Sequence, residues 1–322
     1  MKLFLKKIIQ FILTLILVYI ISLTTIVISN KENLIYNIKN VTGGYGNSLQ
    51  RFKEAKTYGN IDLLFIGSSH CYRGFDSRVF EKNNIKTFNL GSSSQSAINS
   101  YYLIQDNFNY LKPKKVIIEV FWGTYQGNGQ ESFIDLISNS NTSKNQLLML
   151  KEIPTLLSLN SYLYENLNKI LNPLLTANQK EYSTDRYLSG GFVETSITTN
   201  KNFNEPLNLK ASQLESNNFK NQIQYLKMLI SYFKENNCSP ILVLAPVSSE
   251  LKKAYTNYDE YIDKINVISN ENNIPFLNFT EDLSTYNTKN DFYDSNHLTQ
   301  SGVEKFNEAL ILELNHQNIF EN

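Results

Sequence analysis

Two short segments at opposite ends of the chain hold residue types that can carry out nucleophilic chemistry. "FIGSSHCYRGFD", Phe65 to Asp76, ends an apolar run in a glycine, two serines and a histidine. "DFYDSNHLTQSG", Asp291 to Gly302, places an aspartate three residues before a histidine. A serine hydroxyl becomes a useful nucleophile when a base takes its proton and an acceptor orients that base. The two segments together contain all three groups.

Among the three histidines of the chain, His297 is the candidate base. His70 is adjacent to the serines, and neighbouring side chains usually diverge, so it is poorly placed to serve them. His316 lies near the C-terminus and has no apparent chemistry. Asp294 precedes His297 by three residues, a spacing that can bring a carboxylate to imidazole Nδ1 and leave Nε2 facing a serine.

The residues alone leave two choices open. Ser68 and Ser69 could provide a nucleophile, or they could cap a following helix, as serine often does. A cap would not require an aspartate and a histidine at the other end of the chain, which favours the nucleophile. Asp291 is a fallback carboxylate that we interpret as a solvated loop residue.

Short apolar runs alternate with helical patterns on both sides of a central interruption. Strands are predicted at 61–66, 85–90, 116–121, 241–247 and 274–279, and helices at 73–82, 96–110, 219–236, 258–270 and from Thr299 onward. Near-continuous apolar strands separated by helices indicate a parallel sheet covered on both faces. We predict an α/β fold, a three-layer α/β/α sandwich of about five parallel strands, with ligands at the carboxyl ends of the strands.

The alternation stops between residues 122 and 214, a stretch rich in Asn, Ser and Thr with modest helical pieces at 146–157 and 162–175. A segment of this length inside a domain is usually a lid, an inserted subdomain or a partner surface. It follows the carboxyl end of a strand, so we expect it over the same sheet edge as Ser69. The α/β domain is predicted to cover 59–322, preceded by a polar tether at 31–58.

The N-terminal segment is predicted to be a membrane anchor covering 1–30. Ile8 to Ser29 carries no charge and is long enough to cross a bilayer. Lys2, Lys6 and Lys7 precede it, so the positive-inside rule keeps the N-terminus in the cytoplasm and places the domain outside. A cleavable signal peptide is the alternative, although no A-x-A cleavage pattern is present.

Composition excludes several classes of function. Thirty basic residues balance thirty acidic ones, so no overall field favours nucleic acid. Three histidines without a cysteine cluster argue against a metal site, and we expect no cofactor. Phosphate-binding glycine motifs are missing, which argues against a nucleotide-binding module. Cys71 and Cys238 could pair outside the cell or remain two buried thiols.

Taken together, the two segments resemble the SGNH or GDSL hydrolase superfamily, with G-S-S in place of G-D-S and D-x-x-H before the last helix. These proteins are serine esterases, lipases and carbohydrate O-acyltransferases or deacetylases on a flavodoxin-like sheet. The resemblance covers 60–122 and 216–315. It implies that Ser69 is the nucleophile, with Ser68 at the usual aspartate position, and that His297 and Asp294 are the acid–base pair.

A second block of the superfamily resembles "FNLGSSSQS". Asn89 and Gly91 fit its N-x-G opening, and Ser94 stands where a second glycine is usual. The resemblance implies that backbone N–H groups line an oxyanion hole here. We expect backbone donors from Ser94 and Gly91, and the N–H of the nucleophile Ser69 is another.

The third block departs from the superfamily pattern. "EVFWGTYQGNG" has Gly123 roughly where an asparagine donor is usual, and Asn128 would reach the site only if the loop folded back. Loss of one oxyanion donor typically costs about 2.7–4 kcal/mol of transition-state stabilisation. Trp122 either lines the pocket or packs at the edge of the sheet.

Anchored relatives with G-S-S and a weak third block resemble proteins that acylate cell-surface polymers beside a membrane-bound O-acyltransferase. The expected function is therefore an extracytoplasmic serine esterase or O-acyltransferase, held in the cytoplasmic membrane through residues 8–29, that acts on ester groups of a surface glycan. The alternative is a catalytically weak scaffold that binds a glycan or an O-acyltransferase partner through residues 122–214.

Overall fold

The computed structural model describes residues 1–29, 35–172, 185–198, 214–255 and 257–320. These residues include seven strands: β1 (Leu63–Ile66), β2 (Thr87–Asn89), β3 (Lys115–Glu119), β4 (Arg186–Leu188), β5 (Phe192–Glu194), β6 (Ser239–Leu244) and β7 (Phe276–Asn278). Five of them form a parallel sheet in the order β2-β1-β3-β6-β7. This is the flavodoxin-like order, and it confirms the predicted fold class.

Fourteen helices are present among the described residues. They are α1 (Lys2–Ser29), α2 (Ser48–Ala55), α3 (Ser69–Gly74), α4 (Ser77–Glu81), α5 (Ala97–Leu111), α6 (Trp122–Gln126), α7 (Gln130–Asn139), α8 (Lys144–Glu152), α9 (Leu156–Leu171), α10 (Asn217–Glu235), α11 (Ser249–Ala254), α12 (Tyr258–Asn272), α13 (Thr288–Asp291) and α14 (Gln300–His316).

Successive side chains of each strand point to opposite faces of the sheet, and this gives the sandwich two cores. On β1, Leu64 and Ile66 face a core shared with α5, α10 and α12. Leu63 and Phe65 face the opposite core, which includes residues of α4 and α14. All four side chains are fully buried, as expected for a parallel strand covered on both faces. The sheet is therefore the middle of three layers.

The predicted helices form with small shifts at their ends, except that one predicted helix is two separate helices in the structure. The segment predicted as one helix at 73–82 forms α3 and α4, separated by Phe75 and Asp76. The Asp76 side chain caps α4 by accepting from the Arg78 N–H. Thr299 caps α14, as predicted.

The chain between β3 and α10 forms helices α6 to α9 and the antiparallel hairpin β4–β5. The helical pieces predicted at 146–157 and 162–175 correspond to α8 and α9, and the last positions of the second piece lie outside the described residues. Helix α7 was not predicted. Because Phe133 and Ile137 on α7 belong to the main core, this part of the insertion is packed into the α/β domain.

The N-terminal region forms α1, a strongly apolar helix of 28 residues. By length and composition it could cross a membrane, and a signal sequence would have the same properties. Part of the predicted tether is also ordered: α2 buries Phe52 and Ala55 in the main core. The packed region therefore begins before residue 59.

Candidate active site

The loop after β1 separates the roles of the two serines. Ser68 occupies the N-cap position of α3, and its Oγ accepts a hydrogen bond of 3.2 Å from the His70 N–H. Ser69 is the first residue of α3, and its hydroxyl takes no part in the cap. Ser68 therefore makes the cap that was one reading of the sequence, and Ser69 Oγ is left for other contacts.

The Ser69 hydroxyl lies within hydrogen-bonding distance of an imidazole from the other end of the domain. His297 Nε2 is 2.8 Å from Ser69 Oγ, and His297 Nδ1 is 2.8 Å from Asp294 Oδ2. The structure therefore brings together the three side chains singled out from the sequence. This relay has the geometry that activates a serine: nucleophile to base, and base to orienting carboxylate.

Asp294 also fixes the backbone that carries the imidazole. Its Oδ1 accepts from the N–H groups of Asn296 and His297, at 2.9 and 2.7 Å. The ring of Tyr293 stacks on that of His297, with centroids 5.4 Å apart and planes 4° from parallel. The imidazole is thus held by a carboxylate and an aromatic face before any substrate binds.

Asp291 does not lie in the relay, and the structure corrects its interpretation as a solvated residue. Its side chain is fully buried and makes a 2.7 Å ion pair with Lys305. It also accepts from Ser301 Oγ at 2.8 Å and from the Asn287 N–H at 2.7 Å. Asp291 therefore joins the loop to α14 and has a structural role.

The two titratable members of the relay have shifted pKa values. Burial lowers the pKa of His297 below its usual value; the Asp294 carboxylate opposes this shift, and the nearby His70 reinforces it. Burial raises the pKa of Asp294, but hydrogen bonds from His297 and the backbone outweigh that effect and leave the pKa below its usual value. Near neutral pH the pair is therefore a neutral imidazole and an ionised carboxylate, the state that a general base requires.

A buried carboxylate under the loop that carries Ser68 and Ser69 was not singled out from the sequence. Glu119, the last residue of β3, accepts a 2.9 Å hydrogen bond from the Ser68 N–H through Oε2. Its Oε1 lies 3.6 Å from His70 Nδ1. A Cβ on Gly67 would come within 2.5 Å of Glu119 Cβ, so glycine is required for this close approach. The sequence did contain a signal for this residue, because Glu119 is the one acidic residue in the otherwise apolar run "VIIEVF".

Of the two backbone donors expected in the second block, the structure leaves the Ser94 N–H unengaged within the described residues and pairs the Gly91 N–H. Ser94 has a left-handed backbone with φ of 49°. Its N–H, like that of Ser69, makes no hydrogen bond within the described part of the chain. The Gly91 N–H donates instead to Asn89 Oδ1 at 3.1 Å, which removes Gly91 as an oxyanion donor. Asn89 also donates to the Cys71 carbonyl at 2.7 Å, so it joins β2 to α3.

The third block contributes no asparagine at the expected position. Gly123 packs against Phe121, whose ring a Cβ would meet at 2.4 Å. Asn128 accepts from the Gln130 N–H at the start of α7. Trp122 is buried among the rings of Tyr255 and other aromatic residues. Of the two roles considered for Trp122, lining a pocket or packing, the structure shows packing.

The β4–β5 hairpin lies against α3, the helix that begins at Ser69. Its Gly190 carbonyl accepts from the Asn89 N–H at 2.7 Å, and Asp185, just before β4, pairs with Arg73 of α3 at 2.7 Å. The fully buried Arg51 of α2 donates to the Gly191 carbonyl at 2.9 Å. Part of the insertion therefore packs against the helix that begins at Ser69, and composition alone did not identify the residues that hold it there.

Both cysteines are free and buried. Cys71 lies on α3 with Sγ 3.3 Å from Asn89 Oδ1, and burial raises the pKa of Cys238 to about 12. Of the two possibilities left by the sequence, two buried thiols are what the structure contains.

No family model and no curated protein sequence matches the chain. Its fold is similar to several solved structures. One is a lipase/acylhydrolase from Enterococcus faecalis, with 10% identity and a TM-score of 0.41 over 80% of this chain and 97% of that one. A second is a GDSL-like lipase from Bacteroides thetaiotaomicron, with 14% identity and a TM-score of 0.40 over 83% of this chain and 90% of that one. A third is a variant acetyl-xylooligosaccharide esterase from Geobacillus, with 14% identity and a TM-score of 0.39 over 81% of this chain and 96% of that one.

Proposed function

We propose that this protein is a membrane-anchored serine esterase or O-acyltransferase of the SGNH type. The observation that carries the proposal is the unbroken relay from Ser69 through His297 to Asp294, with both contacts at 2.8 Å. Residues 228 positions apart along the chain meet at the carboxyl edge of the sheet, where parallel α/β folds bind their ligands.

The relay supports covalent acyl transfer. Ser69 Oγ attacks the carbonyl carbon of an ester while His297 Nε2 takes the hydroxyl proton. His297 then returns this proton to the leaving alkoxide, and an acyl-serine remains. Asp294 stays ionised throughout and stabilises the imidazolium. Water or a second hydroxyl, activated by the same imidazole, then releases the acyl group by hydrolysis or transfer.

Backbone N–H groups of Ser69 and Ser94 are the proposed oxyanion donors. Neither group is engaged by another part of the described chain, and both follow strands that end at the same sheet edge. Hydrogen-bond donors fixed before the reaction stabilise the tetrahedral oxyanion without reorganisation. Because Gly123 occupies the third-block position, we expect a slower enzyme than one with an additional side-chain donor.

The proposed substrate is an ester-bearing glycan or related polymer at the cell surface. The support is the apolar helix α1, which would place the domain at a membrane, together with the resemblance of the motifs to surface acylation proteins. A membrane-bound O-acyltransferase is the corresponding proposed partner, as the source of acyl groups if the reaction is transfer.

A fluorophosphonate probe tests the proposal, because it reacts with an activated serine and with few others. The full chain in detergent is expected to be labelled, and Ser69→Ala is expected to abolish labelling without changing the melting temperature. Ser249→Ala, at a serine that caps no element and lies outside the relay, is the matched control and should label normally. Absence of labelling in the folded native chain would instead favour the scaffold alternative, which the glycine at position 123 supports.

A further inference from the structure

The last third of α1 packs against the α/β domain, on helix α9. Tyr19 Oη donates a 2.9 Å hydrogen bond to Asn160 Oδ1. Further along α1, Leu23 and Val27 are 3% and 0% exposed in a small core completed by Tyr164 of α9. The preceding part of α1 is exposed on all sides. Helix α1 is therefore divided into a free apolar part and a part attached to the domain.

The contacts show that α1 and α9 run in the same direction. Tyr19 lies beside Asn160, and the later residues Leu23 and Val27 share a core with the later residues Leu163, Tyr164 and Leu167. Positions along the two helices can therefore be compared by their distance from the Tyr19–Asn160 contact, at about 1.5 Å per residue. On this scale, the first residue of α9, Leu156, lies level with Leu15.

The thickness of a bilayer then fixes how close α9 lies to the lipid. About 20 apolar residues span the hydrocarbon. If the span starts at Leu3, with Lys6 and Lys7 extending their amines to the head groups, it ends at Ser22, immediately before the residues that α9 buries. The first turn of α9, Leu156 to Leu159, is then level with α1 positions about 6–10 Å inside the hydrocarbon boundary.

A span that starts at Ile8 fits the contacts less well. It would extend to Val27 and would carry the attached part of α9, including Asn160, Glu165 and Asn168, to hydrocarbon depth. Buried polar groups are costly to bring into lipid. The earlier span leaves Glu165 and Asn168 outside the hydrocarbon, and it leaves Asn160 about 4.5 Å inside the boundary with its Oδ1 hydrogen-bonded to Tyr19.

The side chains at the start of α9 have the chemistry that this position requires. Leu156 is 70% exposed and Leu159 is 42% exposed, although both are large and apolar. Lys151 and Glu152 end α8 just before this turn and are exposed, so charge limits insertion to the interface. An exposed apolar turn that continues the apolar surface of a membrane helix is typical of an interfacial contact.

We propose that the first turn of α9, Leu156 to Leu159, inserts into the acyl chains of the leaflet in which α1 ends, and so gives the domain a second attachment to the membrane. The proposal rests on the membrane anchoring proposed above. With two attachments, the domain is held at a fixed angle to the bilayer, whereas a single helix followed by a tether would leave it free to rotate.

Helix α9 offers its own control residue. Ile170 is 73% exposed but lies about 21 Å further along the helix axis than Leu156, on the aqueous side of the proposed boundary. Leu13, 60% exposed in the free part of α1, reports on the anchor itself. Single variants Leu156→Cys, Ile170→Cys and Leu13→Cys are labelled with an environment-sensitive NBD dye, because both native thiols are buried and react slowly.

Each labelled full-length chain is reconstituted in phosphatidylcholine–phosphatidylglycerol vesicles with and without lipid that carries a nitroxide on its acyl chain. We expect nitroxide lipid to quench the dye at Leu13→Cys and Leu156→Cys at least twofold more than the dye at Ile170→Cys. Equal, weak quenching at 156 and 170, with strong quenching at 13, would overturn the second attachment and leave the anchor intact. Weak quenching at all three positions would overturn the anchor as well.

Discussion

At the scale of single residues, the protonation state of His297 sets how the proposed reaction depends on pH. The imidazole must be neutral to accept the Ser69 proton, and burial holds its pKa below the usual value of about 6.5. Activity should therefore rise with pH through a midpoint below about 6.5 and stay level above it. The profile of kcat/KM against pH for a short-chain nitrophenyl ester measures this midpoint, and a value above 7 would contradict the assignment.

Two aspartates in the same loop should respond differently to the same substitution. Asp294→Asn leaves the loop able to fold but removes the carboxylate that orients His297, so kcat should fall by about 10²–10⁴-fold. Asp291→Asn breaks the buried pair with Lys305 and should lower the melting temperature while kcat of the folded protein changes only a few-fold. Steady-state kinetics and thermal melts on both variants separate the two roles, and a reversed pattern would refute them.

At the scale of secondary-structure elements, Arg51 joins three segments that surround the second block. Its guanidinium donates to the carbonyls of Gly46, Gly91 and Gly191, at 2.6, 2.7 and 2.9 Å, and its side chain is fully buried. Arg51→Met leaves three buried acceptors without donors, at about 1–3 kcal/mol each. We expect the free energy of unfolding to fall by about 3 kcal/mol or more.

Urea unfolding measures this loss. Arg186→Met, at an exposed arginine of the hairpin, is the control and should change stability by less than about 0.5 kcal/mol. A loss at Arg51→Met no larger than that of the control would show that the three carbonyls find other partners.

The hairpin depends on a close backbone approach at Gly191. Its φ is 84°, and a Cβ there would lie 2.2 Å from the Asn89 carbonyl oxygen. Gly59 has nearly the same φ, 81°, but its Cβ would meet only Lys86 Nζ at 4.0 Å. Gly59→Ala should therefore cost about 1–2 kcal/mol, the strain of a left-handed backbone. Gly191→Ala should cost clearly more, because the hairpin must also move away from β2.

The two glycine variants are compared by urea unfolding, and limited proteolysis tests whether the hairpin detaches. Equal losses of stability and equal cleavage patterns would show that the contact with Asn89 adds nothing to the backbone strain.

At the scale of the whole molecule, one buried carboxylate makes stability depend on pH. Asp135 of α7 is fully buried with Ser48 Oγ at 2.7 Å and Asn139 Nδ2 at 2.8 Å. Burial raises the pKa of Asp135 to about 7. These hydrogen bonds and the nearby Arg51 act to lower this pKa, but they offset the effect of burial only in part. The folded-state pKa therefore lies above the unfolded value, so the stabilisation is complete below about pH 4 and is lost as pH rises toward 7.

The size of this effect is on the order of 4 kcal/mol, because each pKa unit corresponds to about 1.4 kcal/mol. Urea unfolding of the native chain and of Asp135→Asn at pH 5 and pH 8 tests it. We expect the native chain to lose stability relative to the variant between the two pH values. A difference between them that does not change with pH would rule out Asp135 as the titrating group.

Much of the fold follows from local patterns in the sequence. Apolar runs such as Leu63–Ile66, which alternate with helical patterns, favour strands buried on both faces of a parallel sheet. The candidate roles of Ser69, His297 and Asp294 also come from residue type and spacing, because a serine nucleophile requires a base and an acceptor. These inferences depend on properties that are local to each segment.

Tertiary structure alone decided which distant groups meet and which hydrogen bonds are already used. The sequence does not show that Glu119 lies beneath Ser68, that the Gly91 N–H is occupied by Asn89, or that α1 lies against α9. Each of these contacts depends on how several elements pack in three dimensions, and one change in packing alters the partners of every polar group at the interface. Sequence therefore determined the elements and the candidate chemistry, whereas packing determined the environment in which that chemistry would take place.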